Sequence, residues 1–412
     1  MVEDVEAGAG RETGKGHGAT SGGVAAAGVG RFPDARRSPG YRCTVPDADD
    51  LAVLADHWAS EVRAAKREHF IPDVTRAGPM SGGPSHWVDR TADPEKWRAA
   101  VYSDTTMLTQ VDDGATMLGP EAPPGLPTSS STAPSLVVEF LNLLDPYPGD
   151  RVLEVGTGTG WTAALLAARL GPGAVTTIEV DDQVARQAAM NLKRSGYEAR
   201  VVVGDGADGW AEGAPYDRVH VTCAVADIPF AWVRQTRPGG VIALPWAPTQ
   251  VWGHKVTLTV TGDGRAVGRF RGDTSFMMLR SQRPALPDVS GHPRESRARV
   301  DPLRMTSADR GLEVAAVGLL PGVDVTGLGV GDDRVSVWDP GSGSYALAVR
   351  DGSGSGAEVT EYGPRSLWTE LEDTYLTWVG LGEPGRERFG LLVDARGQHV
   401  WLDRSDNLIG VS

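Results

Sequence analysis

Three carboxylates stand at the ends of three successive apolar runs, and the first of them leads into a glycine turn. Val152-Leu153-Glu154-Val155 enters Gly156-Thr157-Gly158-Thr159-Gly160-Trp161. Glu179 follows Val175–Ile178, and Asp205 sits between Gly204 and Gly206 after Ala199–Val203. Glycine has no Cβ, so such a turn can bend sharply and let backbone approach a ligand. A carboxylate after the second strand can accept both hydroxyls of a ribose. A dinucleotide fingerprint requires a third glycine where Trp161 stands, and the first loop has no Lys or Arg to meet a pyrophosphate. The inventory suits a nucleoside that itself carries positive charge.

The elements that must hold these residues alternate. Arg151–Val155, Val175–Ile178, Ala199–Val203, Arg218–Thr222 and Val241–Leu244 read as strands. Trp161–Leu170, Asp182–Arg194 and Ile228–Arg237 read as helices between them. This order predicts an α/β fold with a doubly wound, mainly parallel sheet covered on both faces. Ligands of such sheets bind beyond the carboxyl ends of the strands, where the glycine turn falls. Upstream, Leu51, Leu54, Trp58, Val62 and Ala65 have helical spacing up to Pro72, and residues 73–131 read as an irregular wrap anchored by Trp87 and Trp97. Pro134 opens a helix through Leu144. Downstream, residues 251–280 suit antiparallel strands, 281–300 a polar exposed loop, and Leu367–Val379 a helix.

S-adenosylmethionine has the sulfonium, amino group and ribose hydroxyls that this set of carboxylates would meet. The run Glu154–Gly160 resembles the first motif of Rossmann-like methyltransferases that use that cofactor. Gly204-Asp205-Gly206, Pro215–Val219 and Pro238-Gly239-Gly240 follow in the order of one family, the protein-L-isoaspartate O-methyltransferases. Ser129–Ser135 resembles that family's serine-alanine-proline signature, and Arg67–Pro72 its early arginine, phenylalanine and proline segment.

The resemblance implies a role for each matched position. Gly156, Thr157, Gly158 and Gly160 would shape the methionine side of the cofactor site, with Glu154 near its amino group. Glu179 would hold the ribose, and Asp205 and Gly206 would border adenine. Thr132, with Ser131 beside it, would meet the acceptor carboxylate, although Thr132 also suits a helix N-cap before Pro134. The implied reaction esterifies an aspartyl or isoaspartyl carboxylate of a protein or peptide. The ester then passes through a succinimide to aspartate or isoaspartate. Alternatives are a dedicated enzyme for a ribosomal peptide precursor and a non-catalytic peptide-binding relative.

Composition narrows the class. The 412 residues carry 40 Lys and Arg against 54 Asp and Glu, a net charge of −14 that disfavours nucleic acid as a partner. Two cysteines, Cys43 and Cys223, make no disulfide framework, and no spacing suggests a metal site. No apolar run spans a bilayer and no secretory signal is visible, so the expected location is cytoplasmic, away from membranes. Residues 1–40 read as a disordered tail, 41–280 as the methyltransferase domain, and 281–412 as an added α+β region and candidate peptide-recognition domain. Within the core, Trp161 suits a core or pocket-wall position, His220 a buried strand position, and Cys223 a small packing position.

Overall fold

Asp47 caps the first helix, α1 (Ala48–Ala52), by accepting from the Asp49 N–H. The chain then turns through Asp56, at a φ of 42°, before α2 (Ala59–Ala64). The single helix expected over Leu51–Ala65 is therefore two. Leu51, Trp58, Val62 and Ala65 are buried as the spacing required, whereas the turn leaves Leu54 exposed. Four strands follow: β1 (Val74–Pro79), β2 (His86–Asp89), β3 (Thr105–Val111) and β4 (Pro127–Ser131). With α3 (Pro94–Val101) between β2 and β3, they form an antiparallel sheet in the order β2-β1-β3-β4. The expected irregular wrap is thus a sheet, because Gly82-Gly83-Pro84 and the Gly and Pro residues of 119–125 punctuate its connections rather than its strands. Trp97 is buried as expected, and its indole N–H donates to the Pro72 carbonyl.

The computed structural model describes residues 46–249, 252–283, 289, 291–329, 331, 333–350 and 356–410. The expected tail over 1–40 and Cys43 lie outside the described residues, as does part of the polar stretch 281–300.

After α4 (Pro134–Leu144) comes the alternation read from the sequence: β5 (Val152–Val155), α5 (Trp161–Leu170), β6 (Val175–Glu179), α6 (Asp182–Ser195) and β7 (Arg200–Val203). Then follow β8 (Tyr216–Val221), α7 (Phe230–Gln235) and β9 (Thr236–Trp246). These strands are parallel in the order β9-β8-β5-β6-β7. The order in which strands are added reverses between β5 and β8, which opens a crevice at their carboxyl ends. β5 is buried on both faces. Val152 packs into the core shared with α4, α5 and the N-terminal helices, while Leu153 and Val155 enter the core on the opposite side. Helix α7 is shorter than expected because Pro229 stands at its N-cap and Thr236 already begins β9.

The sheet does not stop there. β10 (Gly253–Val260) and β11 (Ala266–Thr274) add to β9 antiparallel, as the alternation suggested. A second, five-stranded antiparallel sheet comprises β12 (Arg294–Arg297), β13 (Asp324–Thr326), β14 (Arg334–Asp339), β15 (Ser344–Arg350) and β16 (Ala357–Tyr362). Helices α8 (Pro302–Thr306), α9 (Gly311–Leu319) and α10 (Leu367–Gly380) share its core, with Leu367, Trp368 and Leu371 buried. The chain then returns. β17 (Phe389–Asp394) pairs with β11, and β18 (Gly397–Leu402) pairs with β17, which completes nine strands in one sheet. The boundary read at residue 280 is therefore crossed by the main sheet itself.

Phe389, Leu391 and Val393 are fully buried, so the C-terminal strands share the stability of the parallel half. Leu391→Ala should cost about 2–5 kcal/mol. Urea unfolding followed by tryptophan fluorescence should show one transition shifted to lower denaturant. A second transition left in place would indicate that residues after 280 fold separately.

Candidate active site

The β5–β8 crevice opens into a cavity of about 990 Å³. Gly156, Thr157 and Gly158, Glu179 and Gly206, and Ser129–Thr132 with Ser135 all line it. Thr222, Cys223, Trp252, Lys255 and the segment Asp273–Arg280 close the rest. A space of this size accommodates an adenosyl ligand and leaves room for an acceptor group.

The glycine turn has a conformation that only glycine takes easily. Gly156 has a φ of 94°, and a Cβ there would lie 2.4 Å from the Thr222 hydroxyl oxygen. That hydroxyl donates to the Val155 carbonyl and so ties the end of β8 to the end of β5. The Gly158 N–H points at Glu179 and donates to its carboxylate at 3.0 Å. Glu179 accepts a second bond from the Asp181 N–H at 3.1 Å. Burial raises its pKa above the usual carboxylate range, and these two N–H groups and the nearby Arg280 oppose the shift. The carboxylate therefore stands at the cavity wall with acceptor capacity left for hydroxyl donors.

Glu154 sits behind the turn rather than on the cavity wall. It is fully buried and accepts from the Thr177 hydroxyl at 2.6 Å, and that hydroxyl lies 2.7 Å from the Thr157 hydroxyl. Strand register explains the chain, since Glu154 lies directly between Thr177 on β6 and His220 on β8. His220 Nδ1 is 3.8 Å from the other Glu154 oxygen, and neither atom has a hydrogen-bond partner among the described residues. Gly160, with a φ of 86°, begins α5. Asp205 accepts from the Ala207 N–H and from the Ser281 hydroxyl, so it joins the third strand end to the segment that crosses the cavity.

The wall at Ser131 and Thr132 is built by a residue far upstream. Arg67 is fully buried, and its guanidinium donates to the carbonyls of Val101, Thr105, Ser131 and Thr132 at 2.8–3.3 Å. It also lies 5.2 Å from the centre of the Trp161 ring, whose N–H donates to the Ala65 carbonyl. Burial pushes the guanidinium down to about 9, with the Asp104 carboxylate working against the shift, and it remains a cation at neutral pH. With both carbonyls so held, the Ser131-Thr132 turn is fixed against the glycine loop. The alternative role of Thr132 as helix cap is not what the structure contains: Ala133 is the N-cap of α4 and has no side-chain cap bond. Asp104 instead accepts from the Ser135 N–H in the first turn.

Sequence reasoning did not assign the far wall. Residues 277–279 bond through backbone to Ala224 beyond β8, and Gln282 accepts from the N–H groups of Ala226 and Asp227. Arg280 pairs with Asp113 and Asp181, and Arg283 with Asp113. The segment is thereby pinned across the cavity by partners from three distant stretches of chain. Cys223 lines the cavity, and burial with the nearby Glu179 and Asp205 carboxylates drives its thiol pKa far up. It is not a thiolate at neutral pH. Among the described residues, no group of His, Cys, Asp and Glu is placed to hold a metal ion, and no helix is long and apolar enough to cross a membrane.

Comparison with known proteins gives a consistent set of relatives. The family described as protein-L-isoaspartate(D-aspartate) O-methyltransferase matches residues 87–282. A protein-L-isoaspartate O-methyltransferase of Methanopyrus kandleri is 38% identical over 154 residues, 36% of this chain and 66% of that protein. Protein-L-isoaspartate O-methyltransferase 2 of Archaeoglobus fulgidus is 34% identical over 191 residues, 46% of this chain and 79% of that protein. A solved protein-L-isoaspartate O-methyltransferase superposes with a TM-score of 0.50 at 20% identity, covering 86% of this chain and 99% of that one, which is a likeness of fold.

Removing the buried guanidinium leaves several carbonyls without donors. Arg67→Met should therefore destabilise the protein by about 3 kcal/mol or more. Arg67→Lys should recover only part of that, because one ammonium cannot span carbonyls held by a planar fork. Urea midpoints of the three proteins test this; equal midpoints would contradict it.

Proposed function

Since the chain belongs to the protein-L-isoaspartate O-methyltransferase family, we propose that this cavity esterifies an aspartyl or isoaspartyl carboxylate of a protein or peptide with the methyl of S-adenosylmethionine. One observation carries the reading. The glycine turn and the Ser131-Thr132 turn, which the resemblance assigns to cofactor and acceptor, line a single cavity.

The residues present fit the cofactor. The turn at Gly156 has no side chain to fill the cradle, and Glu179 keeps free lone pairs toward the cavity for ribose hydroxyls. Gly156, Thr157 and Gly158 would support the methionine portion, and Gly160 sets the direction of the loop into α5. Gly206, with Asp205 at its edge, would border adenine. Glu154 acts from behind by holding Thr157 through Thr177. When bound, S-adenosylmethionine supplies an electrophilic methyl on a sulfonium.

The acceptor needs no base, because an aspartyl or isoaspartyl carboxylate is ionised near neutral pH. The protein's task is to orient one oxygen and exclude water. Thr132, on the cavity wall, would donate its hydroxyl to the other oxygen, with Ser131 buried beside it and bonded to Arg67. The product ester is open to attack by the following backbone nitrogen, which expels methanol and gives a succinimide. Water then opens that ring to aspartate or isoaspartate. The C-terminal region supports the acceptor wall: Arg386 pairs with Asp273, and Gln398 donates to the Ala226 carbonyl and accepts from the Ile228 N–H.

Incubation with S-adenosylmethionine and an isoaspartyl peptide should add one methyl, read by mass spectrometry. No gain on any aspartyl or isoaspartyl peptide, despite cofactor binding, would refute the assignment. Glu179→Ala should weaken cofactor binding about tenfold or more. Thr132→Ala should instead lower turnover roughly tenfold to a hundredfold with little change in cofactor affinity.

The raised pKa of Glu179 sets a pH dependence. Its protonated form is favoured by the fold, so that contribution to stability is full below the ordinary carboxylate pKa and fades as pH rises through the folded value. Cofactor binding needs the carboxylate and has the opposite sense. Affinity measured by calorimetry should fall as pH drops from neutrality toward 5, beginning above the ordinary carboxylate range, and Glu179→Gln should flatten the profile.

A further inference from the structure

The acceptor side of the cavity continues onto the N-terminal sheet, where one row of side chains crosses three strands. Arg76 on β1 lies opposite Leu108 on β3, and Leu108 lies opposite Ser130 on β4. All three line the cavity. The row ends at the glycine turn, since the Ser130 carbonyl oxygen is 3.4 Å from where a Cβ on Gly158 would stand. Neighbouring strands are spaced by about 4.8 Å, so the Arg76 backbone is about 10 Å from that of Ser130.

The other charges of the cavity wall are already answered. Lys255 pairs with Glu139, Arg280 with Asp113 and Asp181, Arg283 with Asp113, and Asp273 with Arg386. Glu179 is held by backbone N–H groups. Among the described residues, the Arg76 guanidinium has no carboxylate within ion-pair distance and no hydrogen-bond partner, and the residue is exposed. An exposed arginine is ordinarily a solvated surface residue. This one differs in standing on the cavity wall, in register with the acceptor turn, as its unneutralised cation in a chain of net charge −14. A lone cation in an acidic surround concentrates an anionic ligand locally.

Resting on the methyltransferase reading above, we propose that Arg76 is a specificity-determining residue: it pairs with an acidic side chain of the peptide close in sequence to the residue being methylated. An extended peptide advances about 3.3 Å per residue, so a separation of about 10 Å places that acidic side chain about two to three residues from the acceptor. The contact lies at the open edge of the cavity, so its strength is that of an exposed ion pair.

The test uses the full chain and isoaspartyl peptides that carry Asp, Ala or Lys at the second or third position on either side of the acceptor. For the unaltered protein, kcat/KM should favour the Asp peptide over the Ala peptide about two- to fivefold at one of these positions, through KM, and added salt should shrink the ratio. Arg76→Gln should bring the ratio to one, Arg76→Lys should keep it, and Arg76→Glu should turn the preference toward the Lys peptide. Fluorescence anisotropy of the same labelled peptides without cofactor gives the same ratios as affinities. Arg76 is thus judged even if methyl transfer, and with it the assigned activity, fails. A ratio of one in the unaltered protein, or a ratio that survives Arg76→Gln, overturns the proposal. If Arg76 instead serves the acceptor carboxylate itself, Arg76→Gln lowers kcat/KM for all the peptides alike and leaves their ratio unchanged, which also overturns the proposal.

Discussion

A buried guanidinium that answers to carbonyls organises this site. Arg67 reaches from the N-terminal helical segment into a space bounded by the ends of α3, β3 and β4, and it gathers the carbonyls of Val101, Thr105, Ser131 and Thr132. A cation with no directly paired carboxylate is costly to bury, so each of those bonds offsets part of its lost hydration. The geometry follows from the shape of the group. A planar fork fixes the relative positions of the loops that it bridges, so the hydroxyl-bearing turn meets the glycine loop at one distance only. Trp161, beneath the guanidinium and anchored to Ala65, carries the same constraint into α5.

The opposite wall depends on the antiparallel half of the sheet. Extending β9 through β10 and β11 brings Asp273–Arg280 across the crevice. Arg386 and the Arg280, Arg283 and Asp113 contacts then hold it there. In the proposed reading, cofactor contacts and acceptor contacts would come from different layers: strand ends of the parallel sheet for one, the N-terminal sheet and the crossing segment for the other. This separation agrees with assigning Glu179 to affinity and Thr132 to turnover.

The parallel core was legible because its physics is local. Each strand is a short run buried on both faces, each helix has its own period, and the glycine turn with its carboxylates has a type and spacing that chemistry restricts. What escaped was set by contacts distant in sequence. Nothing near Arg67 announces its carbonyl partners at 101–132, although the segment was singled out by resemblance. The N-terminal sheet was missed because abundant Gly and Pro masked strands of four to seven residues. The register of Arg76 with Ser130 exists only once β3 lies between them. Glu154 was assigned to the cofactor side, yet its bonds run to Thr177, because its place between β6 and β8 is decided by sheet order rather than by the motif.

The pairing of β17 with β11 has a consequence for biosynthesis. Residues 266–274 must wait for residues 389–394 before their outer edge is satisfied, and the whole five-stranded sheet is made in the interval. Long-range antiparallel pairing of this kind forms late and leaves an unprotected strand edge meanwhile. Between the synthesis of residue 274 and that of residue 389, the nascent polypeptide therefore offers a bare strand edge to any neighbouring chain.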